Sequence, residues 1–175
     1  MQTNNPCSNV LDPNVCEIEG YYLDTYGCLY NGPAVLDPRG LCPSGWHVAT
    51  DDDFKSLESE LGMPEAELDN FGFRGEGVGH SIKSIDLWFP GNGCNGGCGG
   101  NNSSGWTGKP GGYIDSSGGN QNAGSTGCWW TSTPLNANSP HPISRILYPS
   151  SNMVYRDAGN SWLGYNVRCI QDSEE

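Results

Sequence analysis

Eight cysteines, three histidines and one run of aspartates are the residues of this chain whose types could do chemistry. Cys94 and Cys98 are the closest cysteine pair, four apart in the glycine-rich stretch GNGCNGGCGG. Two thiolates at that spacing could hold a metal or run thiol exchange. They could also close a small structural loop, or bridge to distant cysteines, and a structural bridge is the simpler reading. His47, His80 and His141 stand singly and far apart, whereas zinc ligands come at short helical or hairpin spacing. His47 follows Trp46 in a turn and reads as a packed, hydrogen-bonded residue. No serine sits in a nucleophile elbow. Asp51, Asp52 and Asp53 lie near His47 and form the most tempting acidic site, but a helix start accounts for them. No catalytic residue and no metal site are read from these groups.

The element that positions them is Leu41 to Gly62, LCPSGWHVATDDDFKSLESELG. Thr50 is a natural N-cap, and the three aspartates fill a first turn where negative charge suits the helix dipole. Phe54, Leu57 and Leu61 form one apolar stripe. Gly62 supplies a left-handed stop, with Pro64 just beyond. Pro64 to Asn70 carries the start signals of a second short helix.

Charge and composition bound the rest. The net charge of -12, with only eight Lys and Arg, argues against nucleic acid and against anionic membrane surfaces. No apolar run is long enough to insert into a membrane. Scattered cysteines point to disulfides and an oxidising compartment. The opening MQTNNPCSNV has neither a charged nor an apolar leader region, so the route out of the cell stays open between a removed leader and release by lysis.

Residues 1–20 are expected to form an N-terminal arm, and residues 21–175 a single domain with a Gly/Asn-rich insertion at about 91–105. YGCLYNGPA at 26–34 reads as a strand ending in an Asn-Gly turn. From Phe71 to Gly127 no period survives. Trp88, Phe89, Trp106, Tyr113 and Ile114 are threaded through that stretch, as in an irregular region pinned to a core rather than a linker. CWWTST at 128–133, ISRILY at 143–148, Asn152 to Tyr155 and YNVRCI at 165–170 read as strands. Trp129 and Trp130 fall on opposite sides of theirs, which leaves one of them free to face outward. Early helices followed by a strand meander make an α+β order.

Five stretches in one order carry a resemblance: CPSGWHVATDDDFKSLESELG at 42–62, GKPGGY at 108–113, CWWTST, ISRILYPSSNMVYR at 143–156, and GYNVRCIQD at 164–172. Together they resemble the Fibrobacter succinogenes major paralogous domain family, a branch of the C-type lectin-like fold, distantly similar to formylglycine-generating-enzyme-like domains. The resemblance implies one or two short helices on a twisted antiparallel sheet with long irregular loops, stapled by a Cys42–Cys169 disulfide. For the other six cysteines the pairing stays open, and Cys7–Cys16, Cys28–Cys128 and Cys94–Cys98 is one assignment among many. The copper-dependent oxidases among those relatives rely on a cysteine pair. Cys128 and Cys169 sit in equivalent-looking strands, with no second cysteine near either. Calcium is the one ion the lectin resemblance keeps in view. The Glu-Pro-Asn and Trp-Asn-Asp signatures are absent, however, and Ser161-Trp162-Leu163 brings no carboxylate, so no cofactor is expected.

The expected function is therefore non-catalytic recognition or adhesion outside the cell, at its surface or on a virion, toward a protein or glycan. The candidate contact residues are Asn136, Asn138, His141, Tyr148, Asn152, Tyr155, Arg156, Asn160 and Trp162, from turn-rich segments where Tyr, Trp and Asn give adaptable contacts. The alternative is a self-assembling structural subunit of a filament or virion, a homo-oligomer or polymer, and a copper oxidase relative stands behind both.

Overall fold

A computed structural model describes residues 20–89 and 98–173. Residues 1–19 of the expected arm and 91–97 of the expected insertion lie outside the described residues.

The central element is a four-stranded antiparallel sheet in the order β2-β7-β6-β5, made of Gly72–Arg74, Val154–Ala158, Pro142–Leu147 and Gly127–Pro134. Register across it is direct. Trp129, Arg145 and Arg156 align in one row, and Cys128, Ile146 and Tyr155 in the next. Side chains alternate faces along a strand, so these adjacent rows project to opposite sides. All six residues of β6 are buried, because both faces of the sheet are covered.

One face is covered by the helix α3, Asp51–Glu60. The anticipated cap is present: the Thr50 hydroxyl accepts from the Asp53 amide at 3.1 Å, and the Asp53 carboxylate accepts from the Thr50 amide at 2.8 Å. Gly62 adopts φ +93°, the left-handed stop that only glycine takes without strain. Phe54 packs with Val78, Ile82, Trp88, Trp129, Leu147 and Val154 in a core on this side. The second core, on the other face, contains Tyr30, Val35, Val48, Cys128, Trp130, Ile146 and Tyr165. Trp129 and Trp130 therefore serve opposite cores and both are buried; neither faces outward.

Smaller elements complete the domain: α1 (Gly20–Tyr26), α2 (Gly32–Val35), α4 (Val78–Ile82), and the hairpin of β3 (Tyr113–Ile114) and β4 (Asn120–Gln121). The second helix anticipated at 64–70 is a single 3-10 turn, Glu65–Glu67. The strand expected over 26–34 is not formed. Asn31 instead caps α2, its side chain accepting from the Ala34 amide at 3.0 Å, and Pro33 suits the first helical turn. Only Tyr30 bridges there, to Tyr165.

The glycine-rich stretch from 98 onward is docked rather than loose. A Cβ on Gly100 would sit 2.1 Å from the His80 carbonyl oxygen, so backbone meets backbone at a distance no side chain allows.

Two strands outside the sheet close the domain, β1 (Trp46–Val48) pairing antiparallel with β8 (Cys169–Gln171). The implied Cys42–Cys169 disulfide is present, with the Cα atoms 5.8 Å apart. Cys28–Cys128 is not formed: Cys128 is a free, buried thiol, and Cys28 is bonded elsewhere. Cys128 points into the second core from β5, where an apolar neighbourhood suits a thiol. Cys98 is disulfide-bonded, while Cys7, Cys16 and Cys94 lie outside the described residues.

Candidate functional site

The two faces of the central sheet carry two kinds of polar site. On the α3 face, alternation along β6 and β7 aims Arg145 and Arg156 at the helix. There Asp51 and Glu58, two turns apart, share the buried face with Phe54. Arg145 donates to Asp51 at 2.7 Å and to Glu58 at 2.7 Å. Arg156 donates to both Asp51 oxygens, at 3.0 and 2.7 Å, and Arg74 donates to both Glu58 oxygens, at 2.9 and 3.1 Å. Burial acts to raise the Asp51 carboxyl, but hydrogen bonds from Arg156, Arg145 and Lys55 outweigh it and hold it well below the usual carboxylate range.

This network corrects two expectations. Asp51 is a buried partner of two arginines, beyond any role in capping. Arg156 is only 5 % exposed and belongs to this network, so it is not part of an exposed contact surface. Nothing in the cluster is open to a substrate, and its chemistry is structural.

His47 bridges Asp53, at 3.0 Å from Nε2, and Asp172, at 2.6 Å from Nδ1, joining the start of α3 to the residue that follows β8. Those hydrogen bonds, Asp172 first, raise its pKa above the ordinary imidazole value.

The opposite face carries an open cleft of about 460 Å³. Its floor is the row Cys128, Ile146 and Tyr155, with Asp157 one step along the same face of β7. Tyr148 stands at the end of β6. Tyr113, Asp115, Asn122 and Thr126 come over from the β3–β4 hairpin and its flanks, while Leu163 and Tyr165 come from the segment after β7. The rings form two perpendicular pairs: Tyr113 with Tyr165 at 6.2 Å and 79°, and Tyr148 with Tyr155 at 6.1 Å and 81°. Tyr165 also stacks on Trp130 at 4.2 Å, which anchors it to the second core.

Burial, with the Cys128 thiol and Asp157 nearby, pushes the Tyr165 and Tyr148 phenols up, and burial alone pushes up the Cys128 thiol. All three stay protonated at neutral pH. Asp115 is fixed by its own loop: one oxygen accepts from the Ser117 amide (2.9 Å), the Ser117 hydroxyl (2.6 Å) and the Gly119 amide (3.0 Å), the other from Gln121 (2.8 Å). Those bonds, the Ser117 hydroxyl foremost, lower its pKa. No Lys, Arg or His lines the cleft among the described residues.

Of the nine sequence-derived contact residues, Tyr148 and Tyr155 line this cleft. Asn136, Asn138, His141, Asn160 and Trp162 gather at one end of the sheet instead, where His141 Nδ1 accepts from the Ser161 amide at 3.2 Å. Trp162 is 68 % exposed there, one residue before the cleft-lining Leu163. Asn152 is exposed in the β6–β7 turn. The cleft residues Tyr113, Asp115, Asp157 and Tyr165 were not among the nine. The spacing Tyr155-Arg156-Asp157 held the signal, since a strand that buries Arg156 must turn Tyr155 and Asp157 to the other face.

Among the described residues no three His, Cys, Asp or Glu side chains converge as a metal site, and no helix is long and apolar enough to cross a membrane. Cys169 is held by Cys42, and Cys128 stands alone, so the two do not form a thiolate pair.

A small α+β domain, short helices on antiparallel sheets tied by a disulfide, is the class these features define. The Fibrobacter succinogenes major domain model matches residues 7–171, and the chain belongs to that family. No curated protein and no solved structure matches it.

Proposed function

We propose that this protein is a non-catalytic recognition module on a C-type lectin-like scaffold, working outside the cell or on its surface and binding a protein or glycan ligand at the tyrosine-lined cleft and the loops beside it. One observation carries the reading. Four tyrosines converge on an open cleft, and none of their hydroxyls has a hydrogen-bond partner among the described residues. Amphipathic rings with free hydroxyls and few rotatable bonds are suited to ligand contact at low entropic cost. The cleft holds no histidine to act as a base, and its thiol is kept protonated by burial, which supports binding over catalysis. The disulfides support an oxidising compartment. Neither calcium nor any other cofactor is part of the reading.

The test is a glycan and surface-protein binding screen with calcium and with chelator, run on the wild type, Tyr155→Ala and Trp162→Ala. Binding that falls at least tenfold in Tyr155→Ala and survives chelator supports the reading. Binding untouched by both substitutions refutes it, and chelator-sensitive sugar binding puts calcium in its place.

The self-assembling subunit remains a second reading on one observation. The edge strand β2 leaves Phe73 54 % exposed, beside an exposed Phe71, on an open edge of the sheet. Light scattering separates the two, since a strict monomer at high concentration counts against assembly.

A further inference from the structure

We infer that the tyrosine-lined cleft takes an alkylammonium cation, a quaternary or lysine-type ammonium group borne by the ligand; this deepens, and rests on, the reading of that cleft as the recognition site. The charge lining it is of one sign. Asp115 and Asp157 contribute carboxylates and no basic side chain answers them among the described residues, in a chain of net charge -12. A phosphate, sulfate or carboxylate ligand would meet repulsion without a partner.

The aromatic geometry points the same way. Four tyrosine rings line the same space as two pairs, each within about ten degrees of perpendicular, so ring planes of more than one orientation border it. Ring faces carry negative potential and attract a cation within about 6 Å, and several faces around one volume are how quaternary ammonium groups are held. A flat sugar needs a different surface, one stacking ring fringed by many free donors and acceptors. Here Asp115 accepts four hydrogen bonds from its own loop, three on one oxygen and one on the other, which fixes its charge beside the cleft. Asp157 accepts from the Ala158 amide through one oxygen, and its other oxygen has no partner among the described residues. The cleft volume, about 460 Å³, lies in the range of small-molecule sites and leaves room for a headgroup or a side chain.

The experiment is calorimetric titration of the full chain with four probes: choline chloride, Nε-trimethyl-lysine, phosphocholine, and 3,3-dimethylbutan-1-ol, the uncharged isostere of choline. Choline and trimethyl-lysine are expected to saturate one site, with the uncharged isostere about tenfold weaker or more. Phosphocholine should bind less tightly than choline, because its phosphate adds negative charge beside Asp115 and Asp157. Asp157→Asn should weaken choline severalfold and leave the isostere unchanged. Equal binding of choline and its isostere overturns the inference, as does absence of any cation binding; the wild-type comparison needs no variant to fold. If cations fail while Tyr155→Ala still abolishes binding to glycans or surface proteins, this inference falls and the recognition reading stands. If cations bind while Tyr155→Ala leaves every surface ligand attached, the cleft's chemistry is right and its role in recognition is refuted.

Discussion

Glu58→Gln is the substitution that most directly probes how this domain is held together. Glu58 is 0 % exposed, and its two oxygens accept from Arg74 at 2.9 and 3.1 Å and from Arg145 at 2.7 and 3.3 Å. Glutamine keeps the shape, removes the charge, and turns an N–H₂ donor toward guanidinium donors. Arg145 would retain Asp51 at 2.7 Å, whereas Arg74 would keep the Met63 sulfur at 2.7 Å and one bond to the remaining amide oxygen, with its Nε already unbonded. Removing one partner of a buried ion pair costs about 3–5 kcal/mol, because the remaining charge stays buried without compensation. For a domain of this size each kcal/mol moves Tm by about 2–4 °C, so a fall of roughly 6–20 °C is expected. Calorimetric melts with disulfides intact, together with urea midpoints at unchanged slope, would measure it. Asp52→Asn is the control on the same helix. That carboxylate is 89 % exposed, and its loss should cost at most about 1 kcal/mol through the helix dipole. If Glu58→Gln costs no more than Asp52→Asn, the buried network does not hold the helix to the sheet.

Three further outcomes can be checked. Replacing Cys42 and Cys169 by serine opens a bridge spanning 127 residues and should cost about 4–5 kcal/mol by chain entropy, so a double-serine variant melting together with the wild type would contradict it. The raised His47 pKa makes its tie to Asp172 and Asp53 a stabilising contact when the ring is protonated. That stability is fully present below the unfolded imidazole pKa near 6.5 and is lost as pH rises through the higher folded value. His47→Gln should therefore destabilise the protein at pH 5.5, by about 1 kcal/mol or less for a partly exposed pair, and change its stability little at pH 9; a pH-independent difference would refute this. Buried and held protonated, Cys128 should resist iodoacetamide in the native protein and react once unfolded, and prompt native alkylation of its peptide would show the thiol is reachable.

Much of the architecture was legible locally because its signals are local. Thr50, Asp53 and Gly62 bound α3 through contacts made within a few residues, and the aromatic and β-branched run at 128–133 is a strand for reasons carried by its own side chains. The Asn31-Gly32 turn misled because the same dipeptide serves a hairpin or a helix cap, and only the lack of a partner strand for 26–34 decides between them. The glycine-rich stretch looked like spacing material, whereas Gly100 is there because a carbonyl from α4 lies where its side chain would be.

The candidate site divides in the same way. Residue types alone placed Tyr148 and Tyr155 among contact residues, since exposed turns rich in Tyr and Asn favour binding. Periodicity alone could not say which face of β7 would be covered by a helix. Once α3 brings Asp51 and Glu58 onto one face, the arginines must turn toward them to avoid buried unpaired charge, and the alternation of the strand then turns Tyr155 and Asp157 to the other. The sequence by itself determined the α+β class of the domain, its best helix and the places of three of the four strands of the central sheet. Only the tertiary structure decided that Arg156 is internal, that Cys128 is free, and that tyrosines from four separate segments meet in one acidic cleft. Those are contacts between residues far apart in the chain, set by which face of the sheet each covering element occupies.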